Sequence, residues 1–207
     1  MAKTTTRRGA FKIAGGLAAA VLVGSGVYYV AKGPSTLLRP PGAQGESDFM
    51  SRCIKCGKCM EACKYAAIHM ATDADGGAVG TPCIDARAQA CHMCDGLPCV
   101  AACPTGALRD CEVREDIDMG YAEIDADVCI AYKGLRCEVC YRSCPLIDQA
   151  MMLDYAKREG DEIHAIFGPV VNTDVCTGCG LCVQRCVMDE PDLPIRIVSR
   201  AEQERMA

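Results

Sequence analysis

Cys53-Ile54-Lys55-Cys56-Gly57-Lys58-Cys59-Met60-Glu61-Ala62-Cys63 is a C-x2-C-x2-C-x3-C run, the spacing of a bacterial iron–sulfur ligand set. Two tight gaps let three thiolates wrap one face of a single cubane. The fourth thiolate, three residues further along the helix that follows, points away. In two-cluster ferredoxins it ligates the neighbouring cluster, so one run implies a partner run.

The chain supplies three more. Cys176-Thr177-Gly178-Cys179-Gly180-Leu181-Cys182-Val183-Gln184-Arg185-Cys186 repeats the first spacing unchanged. Cys91, Cys94, Cys99 and Cys103 widen the second gap to four residues, and Cys129, Cys137, Cys140 and Cys144 widen the first gap to seven. All four runs keep the final x3-C. Sixteen of the 18 cysteines therefore read as iron ligands. Two ways of exchanging the last ligand fit: first run with fourth and second with third, or first with second and third with fourth. The identical spacing of the outer runs leans toward the nested arrangement.

Composition supports metal ligation over cross-linking. Eighteen Cys in 207 residues is the level of a disulfide scaffold or a metal protein. Disulfide frameworks scatter their cysteines, whereas these are gathered in fours. A zinc-bound interaction module is the nearer rival, but structural zinc usually takes two knuckles of two ligands each. With no Trp and only 3 Phe, the apolar core must be thin, and the clusters themselves are expected to serve as its centre. The first 43 residues carry Lys3, Arg7, Arg8, Lys12, Lys32 and Arg39 and no acid. That leaves 16 bases against 27 acids, a net −11, in the remainder. Such a body argues against nucleic acid as a partner.

The N-terminus reads as a targeting segment. Thr6-Arg7-Arg8-Gly9-Ala10-Phe11-Lys12 resembles a twin-arginine export motif, and 19 uncharged residues separate Lys12 from Lys32. Clusters assembled in the cytoplasm would not survive threading of an unfolded chain, which favours the twin-arginine machinery over the general secretory route. Residues 1–34 are thus expected to be a signal or retained membrane anchor, 35–47 a stiff Pro-rich linker, and 48–207 the cluster-binding domain.

Within that domain, Tyr121–Cys129 and Gly168–Cys176 share an extended lead-in ending Asp-Val-Cys, and Pro194–Val198 alternates as a short strand. Leu146–Arg158 is the longest predicted helix, with Leu146, Ala150 and Leu153 on one stripe and Gly160 as a stop. Gly57, Gly178 and Gly180 either make turns or bring bare backbone N–H groups to the sulfurs. Cys83 and Cys111 lie outside the quartets, as an extra ligand, a periplasmic disulfide, or simply small buried residues. His92 reads as a neighbour donating to cluster sulfur, and His69 and His164 as structural. Arg52, Lys55, Lys58 and Lys64 form a basic fringe at the first run, a solvated surface or a dock for an acidic redox partner.

Taken together, the leader, Leu38-Arg39-Pro40-Pro41-Gly42-Ala43, Gly80-Thr81-Pro82, Cys99–Leu108, Gly134–Arg142 and Cys176–Gly180 resemble the NapG/MauM family of periplasmic ferredoxin-type proteins, its NapG branch in particular. The second run is also similar to those of the iron–sulfur subunits of molybdenum oxidoreductases. The resemblance implies an α+β fold of two ferredoxin-like dicluster modules, with small strands and short helices around four [4Fe-4S] clusters. It implies a periplasmic protein attached to the cytoplasmic membrane. It also implies electron transfer from the quinol pool, through a polytopic membrane iron–sulfur protein, toward a periplasmic cytochrome and nitrate reductase. The MauM branch would instead serve methylamine utilisation, as electron carrier or maturation factor. No Gly-rich phosphate loop and no nucleophile with a base is present, so the chain reads as an electron carrier without substrate chemistry of its own.

Overall fold

Loops that fold tightly around thiols leave each run about one turn of helix. The structure, a computed structural model, describes residues 37–75, 78–109, 111–157 and 165–206; the leader and its arginine pair, His164 and Gly160 lie outside them. In chain order the elements are α1 (Glu46–Arg52), α2 (Lys58–Glu61), β1 (Ile68–Met70), β2 (Pro82–Ile84), α3 (Pro98–Ala101), β3 (Gly120–Ile124), α4 (Val139–Ser143), β4 (Met151–Lys157), β5 (Ala165–Val171), α5 (Leu181–Arg185), β6 (Ile195–Ser199) and α6 (Arg200–Met206). The four helices inside the runs, α2 to α5, all start at the residue before the third cysteine: Lys58, Pro98, Val139 and Leu181. In the third and fourth runs the last cysteine is the C-cap and already extended, with ψ 123° at Cys144 and 135° at Cys186. That abrupt exit turns the last thiol away from the three before it.

The strands form three antiparallel pairs: β1 with β2, β3 with β6, and β4 with β5. Their arrangement repeats. A hairpin joins the first run to the second (Ile68 opposite Ile84) and another joins the third to the fourth (Met151 opposite Val171). Each module is then closed by pairing the chain ahead of its first run with the chain after its second. In the second module that closure is β3 on β6, Gly120 opposite Ser199 through Ile124 opposite Ile195. In the first it shrinks to a single bridge, Ala43 to Leu108. Helix α2 packs on α3, and α4 on α5.

Two expectations are corrected. Residues 35–47 were to be a linker, yet Leu38, Arg39, Pro40, Pro41 and Ala43 are buried, and Leu38 bridges to Ile84. The segment is the closing edge of the first module. Its prolines cannot donate to a ladder, so it pairs at isolated points and carries no strand signature. Leu146–Arg158 was to be helical, but residues 151–157 pair with β5 along their whole length. The partner strand brings Val170 and Val171 alongside, and this long-range pairing overrides a weak local helical stripe.

Two apolar clusters make up the interior of the described residues, one centred on each module, and the first also takes in Ile117, Met119 and Cys179. The first is built around Leu38, Phe49, Ile68, Ile84, Met93 and Leu108, and the second around Ala122, Met151, Val183 and Ile195. Cysteines pack against both, so the thin core expected from composition is completed by thiols. Helix α6 returns to the first module, where the Glu46 N–H donates to Glu204 Oε2 at 3.3 Å. Among the described residues no helix is long and apolar enough to cross a membrane.

Candidate iron–sulfur sites

The sixteen run cysteines gather into four groups, each of three thiols from one run and one from another. Cys53, Cys56, Cys59 and Cys103 line one hollow. Cys91, Cys94, Cys99 and Cys63 line a second. Cys129, Cys137, Cys140 and Cys186 line a third. In the fourth, Cys179 lies in the field of Cys176 and Cys144, Cys144 in that of Cys176, and Cys182 in that of Cys179 and Cys176, with Cys140 and Cys144 beyond them. The last cysteine therefore crosses between the first and second runs and between the third and fourth. The lean toward nesting is overturned. Short hairpins hold consecutive runs side by side, and identical gaps within a run carry no information about which run lies next to it.

The donor set fits an iron–sulfur cluster. The hollows are lined by sulfur and apolar side chains such as Ala62, Ile68 and Leu97 at the second site. Among the described residues no three His, Cys, Asp or Glu side chains stand close enough to hold one metal ion. Four thiols in each apolar hollow are the donor set of a [4Fe-4S] cluster.

Burial dominates the electrostatics of the thiols. It pushes Cys59, Cys99, Cys140 and Cys179 up to about 11, Cys91 up to about 12, and Cys182 well above an ordinary thiol. Opposing it are backbone N–H groups aimed at sulfur. Ala67 donates to Cys63 at 3.3 Å, Leu108 to Cys103 at 3.4 Å, Ala122 to Cys176 at 3.4 Å and Met93 to Cys91 at 3.5 Å. At Cys103 burial is the largest single influence and raises the value. The N–H groups of Leu108, Thr105 and Ala107 with the Thr105 hydroxyl outweigh it, leaving the thiol below its ordinary value. Such donors stabilise anionic sulfur and tune any cluster bound to it.

Residues 52–107 and 129–189 each match the 4Fe-4S dicluster domain family, and these two stretches are the two modules seen in the fold. The ferredoxin-type protein NapG of Escherichia coli (strain K12) is 42% identical over 199 residues, covering 95% of this chain and 86% of that protein. The methylamine utilization ferredoxin-type protein MauM of Methylobacillus flagellatus is 39% identical over 203 residues, covering 97% and 82%. MauM of Paracoccus denitrificans is 41% identical over 165 residues, covering 79% and 71%. The chain belongs to the NapG/MauM family of ferredoxin-type 4Fe-4S dicluster proteins.

Around this ferredoxin-type core the remaining candidates find plainer places. Cys83 and Cys111 are 1% and 4% exposed and not disulfide-bonded. Cys83 Sγ lies 3.1 Å from His69 Nε2, which gives His69 its structural role. His92 stacks on Tyr65, centroids 3.8 Å apart and planes within 9°, beside the second site. Gly57, Gly178 and Gly180 have φ of 76°, 68° and 84°, and so make the left-handed turns. The N–H groups that stand within 3.5 Å of a run sulfur include those of Ala67, Met93, Leu108 and Ala122. Three of these lie outside the runs, and no local signal marks them.

Proposed function

We propose that the sixteen run cysteines hold four [4Fe-4S] clusters, and that the protein relays single electrons from the quinol pool toward a periplasmic nitrate reductase. When bound, a [4Fe-4S] cluster takes up and gives back one electron. The chain's own residues do the rest. Cysteines hold, apolar linings such as Ile68, Ile84 and Leu97 exclude water, and backbone N–H groups stabilise the charge on sulfur. The exchange of last ligands ties two sites into each module, so four sites form a relay and not four isolated centres.

The observation that carries this reading is the crossed grouping of sulfurs: Cys63 with the second run and Cys103 with the first, Cys144 with the fourth and Cys186 with the third. Kinship with NapG supports the nitrate branch, with a polytopic quinol-oxidising iron–sulfur protein as donor and a periplasmic cytochrome and nitrate reductase as acceptors. The leader, residues 1–34, is proposed to direct twin-arginine export and to remain as a membrane anchor. A mature N-terminus near residues 32–45 by mass spectrometry would remove the anchor. Similar identity to MauM keeps methylamine utilisation as the second reading, decided by which donor and acceptor reconstitute electron flow.

Anaerobically purified protein should be brown and contain about sixteen iron atoms per chain. Cys63→Ser should perturb the EPR signal of the second-run site and spare the first. Colourless protein, or loss of the first-run signal instead, would overturn the assignment.

A further inference from the structure

The two modules meet along residues 86–93, between β2 and the second run. Three features make this contact closer than ordinary packing. The Cys91 N–H donates to the Cys179 carbonyl at 2.9 Å, so a ligand of the second-run site is hydrogen-bonded to a ligand of the fourth-run site. Gly180, the next residue, stands so near that a Cβ added to it would lie 2.6 Å from Ala86 Cβ and 3.7 Å from Ala90 Cβ. Arg87 reaches across and its guanidinium donates to the carbonyls of Val183 (2.8 Å), Cys186 (3.1 Å) and Met188 (3.1 Å), with Asp189 as its ion-pair partner. Val183 lies in the last turn of α5, where its carbonyl also accepts the Cys186 N–H at 3.3 Å, and Cys186 and Met188 follow the helix, so Arg87 braces the end of α5 from the other module. Gln184 answers in the opposite direction, donating to the Ala88 carbonyl at 3.3 Å and to Gln89 Oε1 at 3.2 Å.

The closeness has a matched contrast in the chain. Gly57 occupies the same place in the first run as Gly180 in the fourth. It follows the second cysteine, caps the helix after it and is left-handed, with φ of 76° against 84°. A Cβ at Gly57 meets nothing within 4 Å. The turn alone needs the left-handed backbone in both. Only Gly180 also needs to be without a side chain because another module presses against it.

We propose that this contact is the electron crossing between the modules: the inter-module step runs between the second-run and fourth-run sites through the Cys91–Cys179 peptide hydrogen bond, at a separation set by Gly180 against Ala86. The inference rests on the four-cluster reading. The step moves one electron, oxidising one site by one and reducing the other by one, with no bond made or broken and no proton transferred. Because tunnelling falls off exponentially with distance, a contact stripped of side chains is where the handover is fastest. The first-run and third-run sites then stand at the two ends of the relay.

The test uses the full chain, purified anaerobically with its clusters and reduced with dithionite. The inter-module spin–spin interaction is the one abolished both by Cys94→Ser and by Cys179→Ser, since an interaction within a module disappears in only one of them. Gly180→Ala should weaken it several-fold at unchanged iron content. Gly57→Ala, carrying the same backbone strain into open space, should keep it. Adding Ala86→Gly to Gly180→Ala should restore it. If Gly180→Ala loses iron, recovery of iron and interaction together in the double variant supports the proposal, and failure to recover overturns it. Absence of any doubly sensitive interaction in the unmodified protein, or its full retention in Gly180→Ala, also overturns it. Iron well short of four sites in the unmodified chain would be a failure of the four-cluster reading instead.

Discussion

Arg39 is buried with its charge, a position almost never tolerated without partners. Its guanidinium pairs with both Glu46 oxygens, at 2.5 and 2.8 Å, and also donates to Thr81 Oγ1 at 2.8 Å and the Pro82 carbonyl at 2.9 Å. It lies over the Phe49 ring, 4.8 Å from the centroid. One residue thereby fastens the N-terminal edge of the first module to α1 and to β2. Replacing Arg39 takes the bidentate guanidinium partner from the half-buried Glu46 carboxylate, so Arg39→Met should cost about 3 kcal/mol, measured by denaturant unfolding of the holoprotein. A loss under about 0.5 kcal/mol, the size of an exposed pair, would show that Glu46 finds water instead. In sequence, Arg39 is a lone base in a Pro-rich linker; its role depends on Glu46 and Thr81, which only the fold brings to it. Backbone conformation is hidden in the same way. The residue before the second cysteine is left-handed in three runs, with φ of 58° at Lys55, 47° at Met93 and 68° at Gly178. Glycine announces this once, while Lys55 and Met93 bear it unannounced and at a steric cost that the ligand loop must offset.

At the scale of elements, the β4–β5 hairpin shows what decides a strand against a helical pattern. Tyr132, just after the first ligand of the third run, lays its ring on Gly168 of β5, and its hydroxyl donates to the Pro169 carbonyl at 2.9 Å. A Cβ at Gly168 would lie 2.5 Å from that ring. The hairpin is therefore seated on the third ligand loop by an aromatic ring resting on bare backbone. Gly168→Ala should destabilise the protein by about 1–3 kcal/mol through overpacking. Tyr132→Phe, which keeps the ring and loses one hydrogen bond, should cost about 1 kcal/mol. Equal and negligible effects of both on thermal unfolding would mean that the hairpin is not held there. None of this was legible between Leu146 and Arg158, where Leu, Ala and Met fall at helical spacing and the strand partner lies beyond a separate segment. The lead-ins to the third and fourth runs and the strand at Pro194–Val198 were legible, because alternation is local information. The Pro-rich edge at 38–43 was not, because it is tied in by single bridges to Ile84 and Leu108, far along the chain.

For the whole molecule, the four cysteine runs were legible and their partnership was not. Spacing within a run is chemistry written locally, whereas the exchange of Cys63 and Cys103, or of Cys144 and Cys186, depends on how the hairpins fold back. Since thiols complete both apolar clusters, removing iron should remove the fold. Chelation under anaerobic conditions is expected to abolish visible absorbance and protease resistance together, and an iron-free chain that stays protease-resistant would show that the apolar clusters suffice. The molecule is also electrically uneven. Outside the first 43 residues it is strongly acidic, yet the first run and the residue after it carry Lys55, Lys58 and Lys64, all exposed, together with Ile54, which is 64% exposed. Lys55 is partly committed, donating to the Val79 carbonyl at 2.7 Å. An apolar centre with a basic rim at one end of a relay is the layout that steers an acidic redox partner to a short-lived encounter, with charge setting the on-rate and the apolar contact the register. Lys58→Glu with Lys64→Glu should slow association with such a partner roughly tenfold at low ionic strength, and the difference should shrink as the Debye length falls to about 8 Å at 0.15 M salt. Iron content should not change, because both side chains are exposed and neither is one of the run cysteines. If the charge-reversed protein associates as fast as the unmodified one at low salt, the basic rim is solvated surface and the partner enters elsewhere, with the third-run end, where Leu135 and Val187 are exposed, as the remaining port.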